Sequence, residues 1–225
     1  MGIQLDQVVL WGRCLEEYQR MFALSEADLQ KSLLDGGGGP ASFTAEATLQ
    51  GCSVIACDPV YAFSAAAIAP RIEAACDLIM PQVRQNADAY VWQSIADPNA
   101  LETVRMAAMR QFLTDLPAGK AAGRYVEGSV LDLPFPDGQF DLALSSHFLL
   151  SYSTKLGLDF HLEAVRELCR VARAVRIFLL LTVSGERSPW VDAIATHIAQ
   201  LGRKSTIVTV DYEFQKGGNQ MLKIT

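Results

Sequence analysis

Four consecutive glycines, Gly36 to Gly39, constrain this chain more than any other feature. They follow the short apolar segment Ser32 to Asp35, which predicts a buried strand. Pro40 and the residues to about Gln50 come next and predict a helix, stopped by Gly51. Proline suits a first helical turn because its missing N–H would be an unpaired donor there. Strand, glycine loop and helix in that order put bare backbone at the carboxyl end of a strand. Without Cβ atoms such a loop can approach a ligand closely, and a helix N-terminus favours a carboxylate or phosphate. Val54 to Asp58 predicts a second strand, ending on an acid where sheets of this kind bind ribose hydroxyls. Loop and acid together point to an adenosine-containing cofactor. The plainer alternative is a tight turn with Asp58 as a helix cap.

The rest of the chain alternates strand and helix. Residues 3 to 22 predict an amphipathic helical stretch interrupted at Trp11-Gly12-Arg13, and Ser25 to Asp28 reads as a capping box. Further strands are predicted over Arg124 to Ser129, Phe140 to Ser146, Val175 to Val183, Ser205 to Phe214 and Gln220 to Ile224. Helices are predicted over Leu158 to Ala172 and from Ser188 to Gly202, and Gly217-Gly218 suits a hairpin turn. This pattern predicts one α/β domain over residues 1–225. Its sheet is doubly wound and mostly parallel, with an antiparallel last pair. Residues 1–24 read as an N-terminal helical lid. Residues 61–123 carry no strand signal and read as an inserted helical cap. Within it, Asp97-Pro98 opens a helix whose stripe of Leu101, Val104, Ala108 and Phe112 suits a core or a homodimer interface.

The net charge is −6 and no basic stripe is visible, which argues against nucleic acid and against an anionic membrane surface as partners. The longest strong apolar run, Val175 to Val183, is far short of the ~20 residues of a membrane helix. No basic segment with an apolar run opens the chain, so a cytoplasmic protein is expected. The five cysteines are odd in number and none has Cys-x-x-Cys spacing. They read as small buried hydrophobes in a reducing compartment, with no metal site.

Gly36-x-Gly38-x-x-Ala41 formally matches a dinucleotide fingerprint, a weak signal alone. Asp35-Gly36-Gly37-Gly38-Gly39-Pro40-Ala41 more closely resembles the first motif of class I S-adenosylmethionine (SAM)-dependent methyltransferases. Asp35, Gly37 and Gly39 fall in register, and Ala41 replaces the third glycine. Val54 to Asp58 resembles the second motif. Leu133-Pro134-Phe135-Pro136-Asp137-Gly138-Gln139-Phe140-Asp141 resembles the approach to the family's fourth strand. Glu163 to Val171 and the terminal hairpin continue the resemblance, which covers about residues 30 to 60 and 124 to 225. It implies strand order 3-2-1-4-5-7-6 and SAM as methyl donor, with S-adenosylhomocysteine as product. It places Asp35 under the methionine end of SAM and the Gly36–Gly39 backbone along it. Asp58 and Pro59 fall at the ribose, Ser129 and Val130 at the adenine, and Ser145 beside the cofactor at the fourth strand's end. Three departures stand out. They are Ala41, Ser129 in place of an acid, and Ala172-Arg173-Ala174 in place of the Pro-Gly-Gly turn before strand five.

Methyl transfer needs in-line placement and exclusion of water, and a base only where the acceptor arrives protonated. His147, just past the fourth strand, is the candidate base or acceptor ligand; its plain alternative is a histidine packed under the helical cap. His161 and His197 read as packing residues. Phe148 and Tyr152 are candidates for the acceptor pocket. Trp11, Arg13 and Tyr18 are candidates for a lid, with Arg13 pairing the cofactor carboxylate, or else for a helix packed on the sheet edge. The chain lacks an Asn/Asp-Pro-Pro-aromatic motif and a Pro-Cys nucleophile, which with the charge favours a small-molecule acceptor. Two rivals are a non-catalytic SAM-binding protein, serving as sensor or assembly partner, and an NAD(P)-dependent oxidoreductase.

Overall fold

The computed structural model describes Leu5 and residues 8–225. Seven strands form one sheet: β1 (Ser32–Gly36), β2 (Ser53–Cys57), β3 (Tyr125–Val126), β4 (Phe140–Ser146), β5 (Ala172–Phe178), β6 (Ser205–Thr209) and β7 (Gln220–Ile224). Their order is β3-β2-β1-β4-β5-β7-β6, as the resemblance implies. All pairs are parallel except those of β7, which is antiparallel to β5 and β6. Leu33, Leu34, Leu142, Ala143 and Leu144 are fully buried, because helices cover both faces of the central strands. α6 (Leu158–Val171) and α7 (Val191–Gln200) close one face, while α1 (Leu15–Met21) and α3 (Phe43–Leu49) close the other. Arg176 interrupts the apolar run of β5. Its guanidinium donates to the Phe22 carbonyl at 2.8 Å and pairs with Asp28 at 3.1 Å, so the buried charge is matched.

Asp28 also completes the capping box of α2 (Glu26–Leu29), where Ser25 Oγ accepts the Asp28 N–H at 3.1 Å. Between β2 and β3 lie α4 (Ala65–Gln85) and α5 (Pro98–Ala121). Asp97 caps α5 by accepting the Ala100 N–H at 2.8 Å, and Pro98 stands at its first turn. Leu101, Ala108 and Phe112 of the α5 stripe pack inward, with Phe112 against Tyr61 and Tyr125, whereas Val104 is exposed and the buried face passes through Arg105 instead. α5 is therefore the crossover helix that joins β2 to parallel β3. The extra element of this segment is α4, which leans on α5 and sends Ile79 and Val83 toward the strand ends.

The structure corrects several boundaries. Of the stretch predicted helical from residue 3, residues 8–13 are not helical and α1 spans only Leu15–Met21. Gly12 lies so close to the glycine loop that a Cβ there would sit 2.1 Å from the Pro40 carbonyl oxygen. α1 is not an edge helix either, since Tyr18, Met21 and Phe22 are core. α3 begins at Phe43 rather than Pro40, because the turn is held by the Ser42 N–H donating to the Arg13 carbonyl at 3.0 Å. β3 has two residues, its chain turning away at Gly128, where Cys57 Sγ and Pro134 leave no room for a Cβ. β5 pairs with six of the seven residues of β4, from Phe140 opposite Ala172 to Ser146 opposite Phe178, and ends there. β6 ends at Thr209, and the chain then leaves the sheet. The apolar residues beyond both strands serve the cavity described next.

Candidate functional site

A cavity of about 420 Å³ lies across the strand ends. One end is mostly backbone. Gly37 (φ 74°) and Gly39 (φ 53°) take left-handed conformations that glycine adopts without cost. Gly38 has a second constraint, since a Cβ there would stand 2.4 Å from Asp35 Oδ2. Asp58 Oδ2 accepts the Gly39 N–H at 3.0 Å and Oδ1 accepts the Val60 N–H at 2.8 Å. Asp58 thus caps the short turn Pro59–Ala62 and ties β2 to the glycine loop at once. A carboxylate has about four acceptor sites, so two remain for ribose hydroxyls. Burial pushes the Asp58 carboxyl above its ordinary value, against its two backbone hydrogen bonds. Pro59, Ser129 and Val130 continue this wall. Among the described residues the Val130 N–H has no acceptor, and it is free for a ring nitrogen.

Three residues expected to touch the cofactor do not line the cavity. Asp35 is 1% exposed and lies beneath the loop, where the Tyr18 hydroxyl donates to its two oxygens at 3.2 and 3.1 Å. Burial pushes its carboxyl up to about 7; Tyr18 opposes this and the negative charge of Asp58 adds to it. Gly36 is the last residue of β1, and a Cβ there would meet Leu168 of α6. Ser145 is wholly buried within β4 and its hydroxyl has no partner.

The other expected residues do meet in this cavity: Trp11, Arg13, Tyr18, His147, Phe148 and Tyr152. Tyr152 Oη accepts the Val9 N–H at 3.2 Å, which fastens the N-terminal segment over the turn after β4. One Arg13 Nη donates to the Trp11 carbonyl at 3.2 Å, and its buried Nε has no partner. Among the described residues no carboxylate pairs with Arg13. Burial, then the neighbouring Arg105, lower its pKa. His147 has φ 50°, an unusual backbone for a non-glycine residue. Its Nδ1 lies 3.0 Å from Ser146 Oγ, and its ring packs on Phe178. Burial, then Arg13 and Arg105, hold the imidazole well below its ordinary value of 6.5, so it is neutral at physiological pH.

Sequence reasoning missed much of this end. Tyr90 and Phe214 stack at 4.8 Å and line the cavity, as do Ser151, Tyr212 and Ile79. Behind them, fully buried Arg105 grips Glu17 of α1 with two hydrogen bonds, and the Tyr212 hydroxyl donates to Glu17 at 2.9 Å. Burial raises the Glu17 carboxyl, but Arg105 prevails and holds it down to about 2. One signal was available, since Arg105 sits beside Leu101, Ala108 and Phe112 on the α5 face that packs inward.

Residues 78–179 match a family described as a methyltransferase domain, a match that starts past the glycine loop and reaches into the α4–α5 segment. An uncharacterized protein of Methanocaldococcus jannaschii is 31% identical over 223 residues, covering 99% of this chain and 98% of that protein. Similar solved structures include an O-methyltransferase from neocarzinostatin biosynthesis, with S-adenosyl-L-homocysteine and 1,4-dihydroxy-2-naphthoic acid. It is 16% identical with a TM-score of 0.48, and the match covers 93% of this chain and 53% of that one. This chain therefore spans about half the length of that protein. Another is magnesium protoporphyrin IX methyltransferase from Synechocystis PCC 6803 with bound SAM. It is 10% identical with a TM-score of 0.44, covering 91% of this chain and 73% of that one. The strand order is that of the class I methyltransferase fold, and residues 78–179 carry the methyltransferase domain of that SAM-dependent family.

Proposed function

We propose that this chain binds SAM and transfers its methyl group to a small-molecule acceptor. The observation that carries this is a single cavity running from the glycine loop and Asp58 to an apolar chamber under α4. The donor end fits SAM residue by residue. Gly37 to Gly39 offer bare backbone, Asp58 has free lone pairs for the ribose, and Val130 has a free N–H for the adenine. Arg13 supplies an unpaired guanidinium for the methionine carboxylate. When bound there, SAM supplies an electrophilic methyl group on a sulfonium.

The chain's own residues do the rest. Apolar walls exclude water, and neutral His147 takes a proton from the acceptor. A cavity of about 420 Å³ falls in the usual range for small-molecule sites, roughly 300–1,000 Å³. The net charge of −6 disfavours nucleic acid as acceptor. Among the described residues no helix is long and apolar enough to cross a membrane. The five cysteines are free thiols, four of them buried, which supports a reducing compartment such as the cytoplasm.

Calorimetry with SAM, S-adenosylhomocysteine and NAD tests the reading. The two sulfur ligands are expected to bind and NAD is not. Asp58→Ala removes charge-assisted hydrogen bonds of about 1.5–3 kcal/mol each. It is expected to weaken SAM at least ~10-fold while the circular dichroism spectrum is unchanged. NAD binding without SAM binding overturns the proposal.

A further inference from the structure

We infer that the acceptor is an uncharged, apolar ring compound methylated on a phenol-type hydroxyl. This rests on the reading of the cavity as a SAM-dependent methyl-transfer site.

The walls give the ring. Beyond the glycine loop the chamber is built from aliphatic side chains of α4 and of Leu5, Val8, Val9 and Leu10, and from aromatic side chains. Tyr90 and Phe214 are stacked, and Phe148 meets Phe160 edge to face at 6.1 Å. Such rings favour another flat ring in stacked or edge-on contact.

The polar atoms give the hydroxyl. Ser151 lines this chamber, is 4% exposed, and has a hydroxyl with no partner, a cost that a hydrogen-bonding ligand relieves. His147 is the second polar group. Where Ser146 Oγ donates to Met21 Sδ, His147 Nδ1–H donates to Ser146 Oγ and Nε2 keeps its lone pair.

The charges decide between oxygen and nitrogen. Among the described lining residues Asp58 is the one acid, and it stands at the donor end. Arg13 lines the chamber and Arg105 lies behind it, both close enough to act on His147. Arg105 is paired with Glu17, and Arg13 is taken by the donor's carboxylate, so the deciding charge is the donor's sulfonium; beside it an ammonium would enter with no acid to match it among the described residues of the acceptor end. A phenol enters neutral and becomes an anion as its proton passes to His147, and the donor's sulfonium attracts that anion. The hydroxyl proton passes to His147 Nε2 as the oxygen takes the methyl group. The sulfur keeps the electron pair of the broken C–S bond, and the imidazolium releases its proton to solvent.

The test uses the full chain saturated with S-adenosylhomocysteine, and para-phenylphenol as the probe. Biphenyl, para-phenylbenzylamine and para-phenylbenzoate are matched controls, with binding read by calorimetry. The phenol is expected to bind at least ~10-fold tighter than the amine and several-fold tighter than biphenyl. Ser151→Ala is expected to weaken the phenol and leave S-adenosylhomocysteine unchanged, which also checks the fold. With methyl-labelled SAM, mass spectrometry is expected to find the methyl ether, and His147→Ala to slow its formation about 10²–10⁴-fold, far more than the several-fold by which it weakens phenol binding. An amine that binds as well as the phenol, a hydrocarbon that binds as tightly, or a bound phenol left unmethylated overturns the inference. Failure of S-adenosylhomocysteine itself to bind would instead bring down the underlying reading.

Discussion

The two ends of the cavity are built in opposite ways. The donor end is mostly backbone from short contiguous segments, Gly37 to Ala41, Asp58-Pro59 and Ser129-Val130, each at the end of a strand. The acceptor end is side chain from scattered segments: residues 8–13, α4, the turn after β4, and the loops that follow β5 and β6. A common ligand chemistry constrains the first, because bare backbone and one carboxylate suit an adenosine in any such sheet. Long-range packing constrains the second, so its composition can vary from chain to chain. Glu17 joins them, bonding Arg105 of α5 and Tyr212 of the β6–β7 loop from a helix that starts beside the glycine loop.

Breaking that joint is expected to have the largest effect. Glu17→Ala leaves a fully buried guanidinium unpaired, a loss typically of about 3–5 kcal/mol. For a chain of this size the unfolding midpoint should fall by about 6–20 °C. Thermal unfolding followed by circular dichroism measures it. A fall below about 2 °C would show that the two ends are held independently of this pair.

Within the donor end the glycines separate by mechanism. Gly38→Ala puts a Cβ 2.4 Å from a buried carboxylate oxygen held by Tyr18, so something rigid must move. The expected cost is about 1–3 kcal/mol, with SAM affinity reduced more than ~10-fold. At Gly39 a Cβ meets nothing within 4 Å, so Gly39→Ala bears only the left-handed φ, about 1–2 kcal/mol. Calorimetry on both variants ranks them. A larger binding loss at Gly39 would mean that loop conformation, not contact with Asp35, governs the donor end. Phe214→Ala, at the other end, is expected to leave SAM affinity within a few-fold.

These contrasts explain what the sequence revealed. The sheet was legible because its apolar runs, turn glycines and capping residues all point to one topology, as with Leu33-Leu34 before the glycine loop and Gly51 after α3. That Gly37, Gly39 and Asp58 line the cavity was legible because their place at strand ends is set within a few residues. Asp35, Gly36 and Ser145 do not line the cavity, and the sequence could not say so, because position along a strand does not tell whether a side chain lies over the sheet's end or beneath a loop. Leu179 to Val183 and Val210 to Phe214 look like strand, yet Leu179, Val183, Tyr212 and Phe214 are apolar because they wall a cavity. A hydrophobic run cannot distinguish burial in a sheet from burial around a ligand. Tyr90, Ser151 and the Glu17–Arg105 pair depend on contacts between residues far apart in the chain, and no local pattern encodes those.

The smallest expected effect concerns protons, and it also divides the two ends. Burial has pushed the Asp35 carboxyl from 3.8 to about 7, and the groups facing it are Tyr18, Asp58 and Tyr61. Its folded value lies above its unfolded one, so between about pH 4 and 7 the native state holds more proton than the unfolded chain. This group's contribution to stability therefore falls as pH rises through that window. Cofactor binding has the opposite sign. SAM carries a sulfonium and an ammonium, and these favour the ionised carboxylate lying under the loop. Affinity should rise with pH up to about 7, by at most ~10-fold per unit, and then level off. At pH 6 binding should release up to about one proton, measured by calorimetry in two buffers of different ionisation enthalpy. The ligand's own amino group titrates too, and Asp35→Asn, which keeps an oxygen for the Tyr18 hydroxyl, is the control that subtracts it. His147, held well below 6.5 by burial and two arginines, should take up or release nothing from pH 6 to 8. Proton release that persists in Asp35→Asn and disappears in His147→Ala would reverse the assignment and place the titrating group at the acceptor end.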